Sequence, residues 1–223
     1  MNECKKEKRG GICFYNIDNV EFMKTKRDNY YDLAIVDPPY GIDITGQFEN
    51  ANKEGGKSMF KQTKGIVKKE WDKNIPTPEY FTELKRVSKN QIIWGGNYFL
   101  EYLGNTKCML VWNKMNGTNN MADCELAWTS LDKAVRMFSL HHFSKNYEAK
   151  IHLTQKPKQL YRWILLNFAE KGMKILDTHG GSCSIARACD DEGYDIDICE
   201  IDNDYFNNGV AAYDEYKRQL KLF

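Results

Sequence analysis

The chain has no C-x-x-C pair, no histidines at metal-ligand spacing and no apolar run of membrane-spanning length. Its seven cysteines (Cys4, Cys13, Cys108, Cys124, Cys183, Cys189 and Cys199) are odd in number and scattered. That argues against a disulfide framework and predicts reduced thiols. The four histidines, His141, His142, His152 and His179, lack ligand spacing, so no metal site is expected. The opening MNECKKEKRG holds no apolar leader core. Together these absences predict a soluble, cytoplasmic protein with no membrane partner. An excess of one charge sign is missing too: 32 Lys and Arg face 31 Asp and Glu, a net charge of +1. Any polyanion must therefore be gripped by local clusters rather than by bulk charge. There is no internal repeat.

What is present is core material. Hydrophobic residues make up 42% of the 223 and aromatics 13%, well above disordered composition. GICFYNI and DLAIV read as strands, with a short helical piece near Val20–Lys26 between them. TPEYFTELKRVSKN reads as a helix capped by Thr77, with Pro78 at its first position. QIIWGGN, CMLVW and ELAWTS read as strands. Pro157 opens a further helix running to about Lys171. KILD, SIARACDDEG and YDIDIC then read as strand, helix, strand. Strands alternating with helices predict a parallel-rich α/β sheet covered on both faces. Two polar stretches interrupt the pattern, at about 43–75 and around Asp132–Lys150. The first holds six lysines between Lys53 and Lys69 and reads as a loop or small insertion.

LAIVDPPYGI, residues 33–42, places an acid, two prolines and a tyrosine directly after an apolar run. Proline lacks an N–H and fixes φ, so the strand must stop at Asp37 and a rigid corner must follow. Taken alone, the corner also fits a stiff turn. A second constellation is ILDTHGGSCSIARAC, a strand, a Gly-rich turn and a helix. Such a turn lets a ligand approach the backbone at a helix N-terminus. Glu200 follows the strand DIDIC, where an acid accepts the hydroxyls of a ribose. The turn has no third glycine of the G-x-G-x-x-G kind, so a pyrophosphate is not indicated.

DPPY at 37–40, TQKP at 154–157, LDTHGGS at 176–182 and CEID at 199–202 occur in that order. The combination resembles the β-group, circularly permuted DNA amino-methyltransferases that use S-adenosyl-L-methionine. The resemblance covers nearly the whole chain. It implies a single Rossmann-like catalytic domain over 1–223, with a mostly parallel sheet, an antiparallel hairpin strand and a permuted motif order. It implies that Asp37, Pro38, Pro39 and Tyr40 act on a base flipped from double-stranded DNA. Asp37 and the Pro38 carbonyl would accept from the target amine, the prolines would hold them rigidly, and Tyr40 would stack on the base. It implies a cofactor site of Asp18, Asp37, Thr154, Lys156, Asp177, His179, Gly180, Gly181, Ser182, Glu200, Ile201 and Asp202. Asp18 also fits a helix-capping acid. Departures lie in the cofactor turn, where Thr178, His179 and Cys183 replace Pro, Phe and Gly, and at Leu153. Cys183 adds a side chain where the backbone is expected to pass close to the cofactor.

An acid at position 37 favours adenine N6 by the same resemblance. Cytosine N4, adenine in RNA, a silent DNA-binding relative and a nicotinamide oxidoreductase stand as alternatives, the last disfavoured by the turn. For DNA contact the sequence offers Lys57, Lys61 and Lys64 in the first polar stretch. It also offers Arg136 and Lys145 in a short segment at about 129–151. No separate recognition domain of ordinary size fits, so specificity comes from short insertions, from a second subunit of a homodimer, or is low.

Overall fold

The apolar run at 33–36 is continuous because both of its faces are covered. A computed structural model describes residues 5–43, 72–116, 122–141 and 155–220, and within them it forms one nine-stranded sheet. The strands are β1 (Lys5–Arg9), β2 (Ile12–Asn16), β3 (Tyr31–Val36), β4 (Ser88–Trp94), β5 (Met109–Asn113), β6 (Cys124–Thr129), β7 (Arg136–Ser139), β8 (Lys174–Asp177) and β9 (Asp195–Cys199). Their spatial order is β1-β2-β9-β8-β3-β4-β6-β5-β7. The central run β2, β9, β8, β3 and β4 is parallel. β1 pairs antiparallel with β2, β6 antiparallel with β4 and β5, and β7 parallel with β5.

Side chains alternate across a strand, so each central strand feeds two cores. Leu33 and Ile35 of β3, with Ile92 and Trp94 of β4, join one core. Ala34, Val36 and Ile93 join the other. The first core is closed by helices α4 (Lys158–Phe168), α5 (Ser184–Glu192) and α6 (Asn203–Leu220). The second is closed by α1 (Asn19–Lys24), α2 (Pro78–Val87) and the short α3 (Leu100–Leu103). Burying a Leu, Ile or Phe contributes ~1.5–3 kcal/mol each, which makes these two layers the main source of stability.

Several expected boundaries move. α2 ends at Val87 and β4 begins at Ser88, whose Oγ donates to the Leu84 carbonyl at 2.5 Å, so the helix expected through Asn90 is three residues shorter. α4 ends at Phe168 rather than near Lys171. The polar stretch after Asp132 contains β7, an edge strand with Met137 62% exposed. The lysine-rich start forms β1, also an edge strand, on which charge blocks further pairing. Hydrophobic periodicity does not register such strands, because neither has a fully buried face. Most of the 43–75 insertion lies outside the described residues, as do Lys57, Lys61, Lys64, Lys145 and Thr154. Among the described residues no helix is long and apolar enough to cross a membrane. Among them, too, no group of His, Cys, Asp and Glu is placed to hold a metal ion.

Candidate active site

From β3 the chain steps to β4 on one side, and from β8 it steps to β9 on the other. The order reverses between β3 and β8, and in parallel sheets such a switch point opens a crevice outside the carboxyl ends of the strands. Asp37 follows β3 and Asp177 ends β8, so the two constellations found in the sequence face one crevice. Glu200 follows β9, and Asp18 lies just past β2.

The D-P-P-Y corner is pinned from several directions. The Tyr40 hydroxyl donates to Asp37 Oδ1 at 2.6 Å. Lys156 Nζ lies 2.5 Å from Asp37 Oδ2 and 3.2 Å from the Tyr40 hydroxyl. Lys156 is only 3% exposed, sits over the Trp94 and Tyr40 rings, and has Glu125 as a second carboxylate at 3.1 Å. Glu125 in turn holds Lys114 at 2.6 Å. Burial opposes all of these charges. It pushes the Asp37 carboxyl up, with Lys156 pulling down and Glu125 adding to the rise. For Lys156, burial is outweighed by Asp37 and Glu125, which keep the ammonium charged. For Glu125, burial is outweighed by Lys156 and Lys114, so its carboxyl falls. Behind the corner, the buried Asp72 carboxylate accepts from the Tyr40 N–H at 2.7 Å and the Gly41 N–H at 3.1 Å. The Asp72 carbonyl also accepts from the Asp43 N–H, tying together the ends of the insertion.

Tyr40, the expected base platform, carries the Tyr98 ring, stacked with centroids 5.1 Å apart and 16° between planes. Gly95 lies against Tyr40: a Cβ there would fall 2.2 Å from Cε1, and its positive φ is a second reason for glycine. Asn97 belongs to the 3-10 turn Gly96–Tyr98 bordering this side. Trp128 is buried, donates to the Gly104 carbonyl and belongs to the core.

Across the crevice, Glu200 Oε2 accepts from the Gly181 N–H and Oε1 from the Asp202 N–H, each at 2.8 Å. These two bonds orient the Glu200 carboxylate at the end of the turn. The neighbouring Ile201 is 68% exposed, an apolar surface beside that acid. Asp202 caps α6, accepting from the Asp204 and Tyr205 N–H groups at 2.9 and 3.0 Å. Asp18 caps α1, accepting from the Val20 and Glu21 N–H groups. Asp177 is 3% exposed; burial pushes its carboxyl up to about 7, against the pull of the His179 N–H. His179 is held neutral by burial, its pKa down to about 3. Its Nδ1 meets Thr178 Oγ1 at 2.9 Å and its Nε2 meets Asn19 Nδ2 at 3.0 Å. Thr178 Oγ1 continues to the Tyr80 hydroxyl at 2.7 Å, fastening the turn to α1 and α2. Ser182 is buried within the turn, and Gly181 has a φ of +49°.

The side chain added at Cys183 is buried in the first core. Cys183 adopts φ +52°, and its Sγ packs toward Gly209 of α6 and Gly180. Gly209 leaves the room that the missing glycine would have supplied. The residues therefore fit an adenosine-bearing cofactor: an oriented acid for hydroxyls, an apolar surface beside it, and the Gly180–Gly181 backbone leading into α5. Sequence reasoning missed Asp72, Glu125 and Lys114. They lie far from Asp37 in the chain, and nothing in their local sequence sets them apart from other charged residues.

No protein-family model matches the chain, and no curated protein matches it. Solved structures do. The M1.HpyAVI–SAM complex aligns with a TM-score of 0.59 at 17% identity, covering 91% of this chain and 98% of that one. The cytosine-N4-specific PvuII DNA methyltransferase aligns at 0.57 and 10% identity, covering 92% and 89%. The putative DNA modification methylase TTHA0409 from Thermus thermophilus, complexed with S-adenosyl-L-methionine, aligns at 0.51 and 11% identity, covering 86% and 88%. At these identities the likeness is one of fold: the chain has the α/β architecture of these methyltransferase structures.

Proposed function

We propose that this protein methylates the exocyclic N6 amine of an adenine turned out of double-stranded DNA, using S-adenosyl-L-methionine. The observation that carries the reading is the meeting of the D-P-P-Y corner and the Gly181–Glu200 turn across one crevice at the strand switch point. Glu200 would hold the ribose hydroxyls, Ile201 and Asp18 would border the adenine, and Asp177, His179, Gly180, Gly181 and Ser182 would line the methionine side with Thr154 and Lys156. When bound, the cofactor supplies an electrophilic methyl group on a sulfonium.

The chain's own residues make the amine able to take that methyl group. Adenine N6 is a poor nucleophile because its lone pair is delocalised into the ring. Acceptors at the Asp37 carboxylate and the Pro38 carbonyl draw its hydrogens out of the ring plane and free the lone pair. The amine gains positive charge as the N–C bond forms, so an ionised Asp37 stabilises the transition state more than the ground state. Burial works against that ionisation and Lys156 supports it. Asp37 need not be a strong base, because the methylated amine readily gives its extra proton to water. Tyr40 offers the aromatic face, once Tyr98 gives way to the base.

The test is nucleoside mass spectrometry of DNA incubated with the protein and S-adenosyl-L-methionine. N6-methyladenine is expected. N4-methylcytosine would establish the second reading, which the cytosine-N4-specific PvuII neighbour favours, and neither product would overturn both. Asp37→Ala should lower the transfer rate at least ~10²-fold while calorimetry shows cofactor affinity nearly unchanged.

A further inference from the structure

Both Asp37 oxygens already have partners, the Tyr40 hydroxyl on Oδ1 and the Lys156 ammonium on Oδ2. An incoming amine must share or displace one of them. Lys156 cannot simply leave, because it is buried and an ammonium stranded away from water is strongly penalised. Among the described residues it has one other carboxylate at ion-pair distance, Glu125 at 3.1 Å. Glu125 is fixed for this purpose. It stands on β6 opposite Trp112 of β5, and Lys114, just beyond β5, holds its other oxygen at 2.6 Å. Lys114, Glu125, Lys156 and Asp37 form a chain of alternating charge with no net charge.

We propose that Glu125 is a positioning residue for methyl transfer: it shares the Lys156 ammonium with Asp37 and so opens the Asp37 carboxylate to the target amine. This rests on the reading of Asp37 as the amine's acceptor. As the amine arrives, Lys156 shifts its weight from Asp37 Oδ2 to Glu125 and remains paired throughout. Without the Glu125 charge, Asp37 is the one carboxylate at ion-pair distance from Lys156 among the described residues. The pair tightens, and the Lys156 ammonium offsets the Asp37 charge just where that charge is needed.

The experiment is single-turnover transfer to duplex DNA by the parent, Glu125→Gln, Lys156→Gln and the double variant, with cofactor affinity measured alongside. Gln has nearly the shape of Glu and can still accept from Lys114. Glu125→Gln should slow transfer by at least ~10-fold, and the same change on the Lys156→Gln background should cost less than about 2-fold, because its effect runs through Lys156. For Glu125→Gln alone, cofactor affinity should move by less than about 3-fold, where a general packing defect would lower affinity and rate together. Glu125→Asp, which keeps the charge, should restore most of the rate. A Glu125→Gln rate equal to the parent's overturns the inference, as does an equal loss in both backgrounds or a folded Glu125→Asp as slow as Glu125→Gln. Failure of the underlying reading looks different: the parent transfers nothing, or Asp37→Ala keeps near-normal turnover.

Discussion

Asp177 illustrates how one buried residue links stability, pH and binding. Burial raises its carboxyl from 3.8 to about 7. Between those values the folded state holds a proton that the unfolded state has lost, so stability falls as pH rises through the window. Each pH unit corresponds to ~1.4 kcal/mol for a fully effective group, and a net loss of roughly 1–4 kcal/mol is expected across the window. Asp177→Asn should remove that loss, and denaturant unfolding from about pH 4 to pH 8 will show it as a flattened profile. On the proposed reading the cofactor's cationic end favours the ionised carboxylate. Binding near pH 7 should then release a proton, measured by calorimetry in buffers of different ionisation enthalpy. The same variant should bind the cofactor more weakly while being more stable at neutral pH.

At the level of elements, the turn before α5 keeps its shape because α6 leaves space behind it. A Cβ at Gly209 would lie 2.5 Å from Cys183 Sγ and 3.3 Å from the Gly181 carbonyl oxygen. Alanine in place of a helical glycine would gain ~1 kcal/mol of helix propensity. Overpacking against Cys183 costs ~1–3 kcal/mol and should win. Gly209→Ala is therefore expected to lower the melting temperature. Adding Cys183→Gly should reverse the loss, since it removes the sulfur and a left-handed non-glycine residue worth ~1–2 kcal/mol of strain. At ~2–4 °C per kcal/mol for a chain of this size, thermal melts resolve both steps. If Gly209→Ala raises the melting temperature on its own, Cys183 is not what fills that space.

At the scale of the whole molecule, a net charge of +1 means that any grip on DNA is local. We expect the lysines of the first polar stretch to supply it. Each lysine that neutralises a phosphate adds about one unit to the log–log salt slope of binding. Lys57, Lys61 and Lys64 changed together to Gln should flatten that slope by about two to three units, read by fluorescence anisotropy across a salt series, with cofactor affinity unchanged. An unaltered slope would move the contact to the segment 133–150, which includes Arg136, or to another subunit.

The sequence by itself determined the parts whose cause is local. Prolines after LAIV end β3 at any tertiary context, because a ring nitrogen cannot join a ladder. Alternation of apolar strands and helices gives the parallel centre of the sheet, since strands covered on both faces must be apolar throughout. The Gly-rich turn and Glu200 are legible because the residues lie at strand ends with turn chemistry beside them. Tertiary structure alone decided the rest. Asp72, Glu125 and Lys114 matter through neighbours remote in the chain, and ordinary charged residues acquire a role only when folding buries them together. β1 and β7 exist because an adjacent strand offers them hydrogen bonds, not because their own sequences demand extension. The effect of Cys183 depended on a glycine on another helix, because whether a side chain is tolerated is set by the space around it.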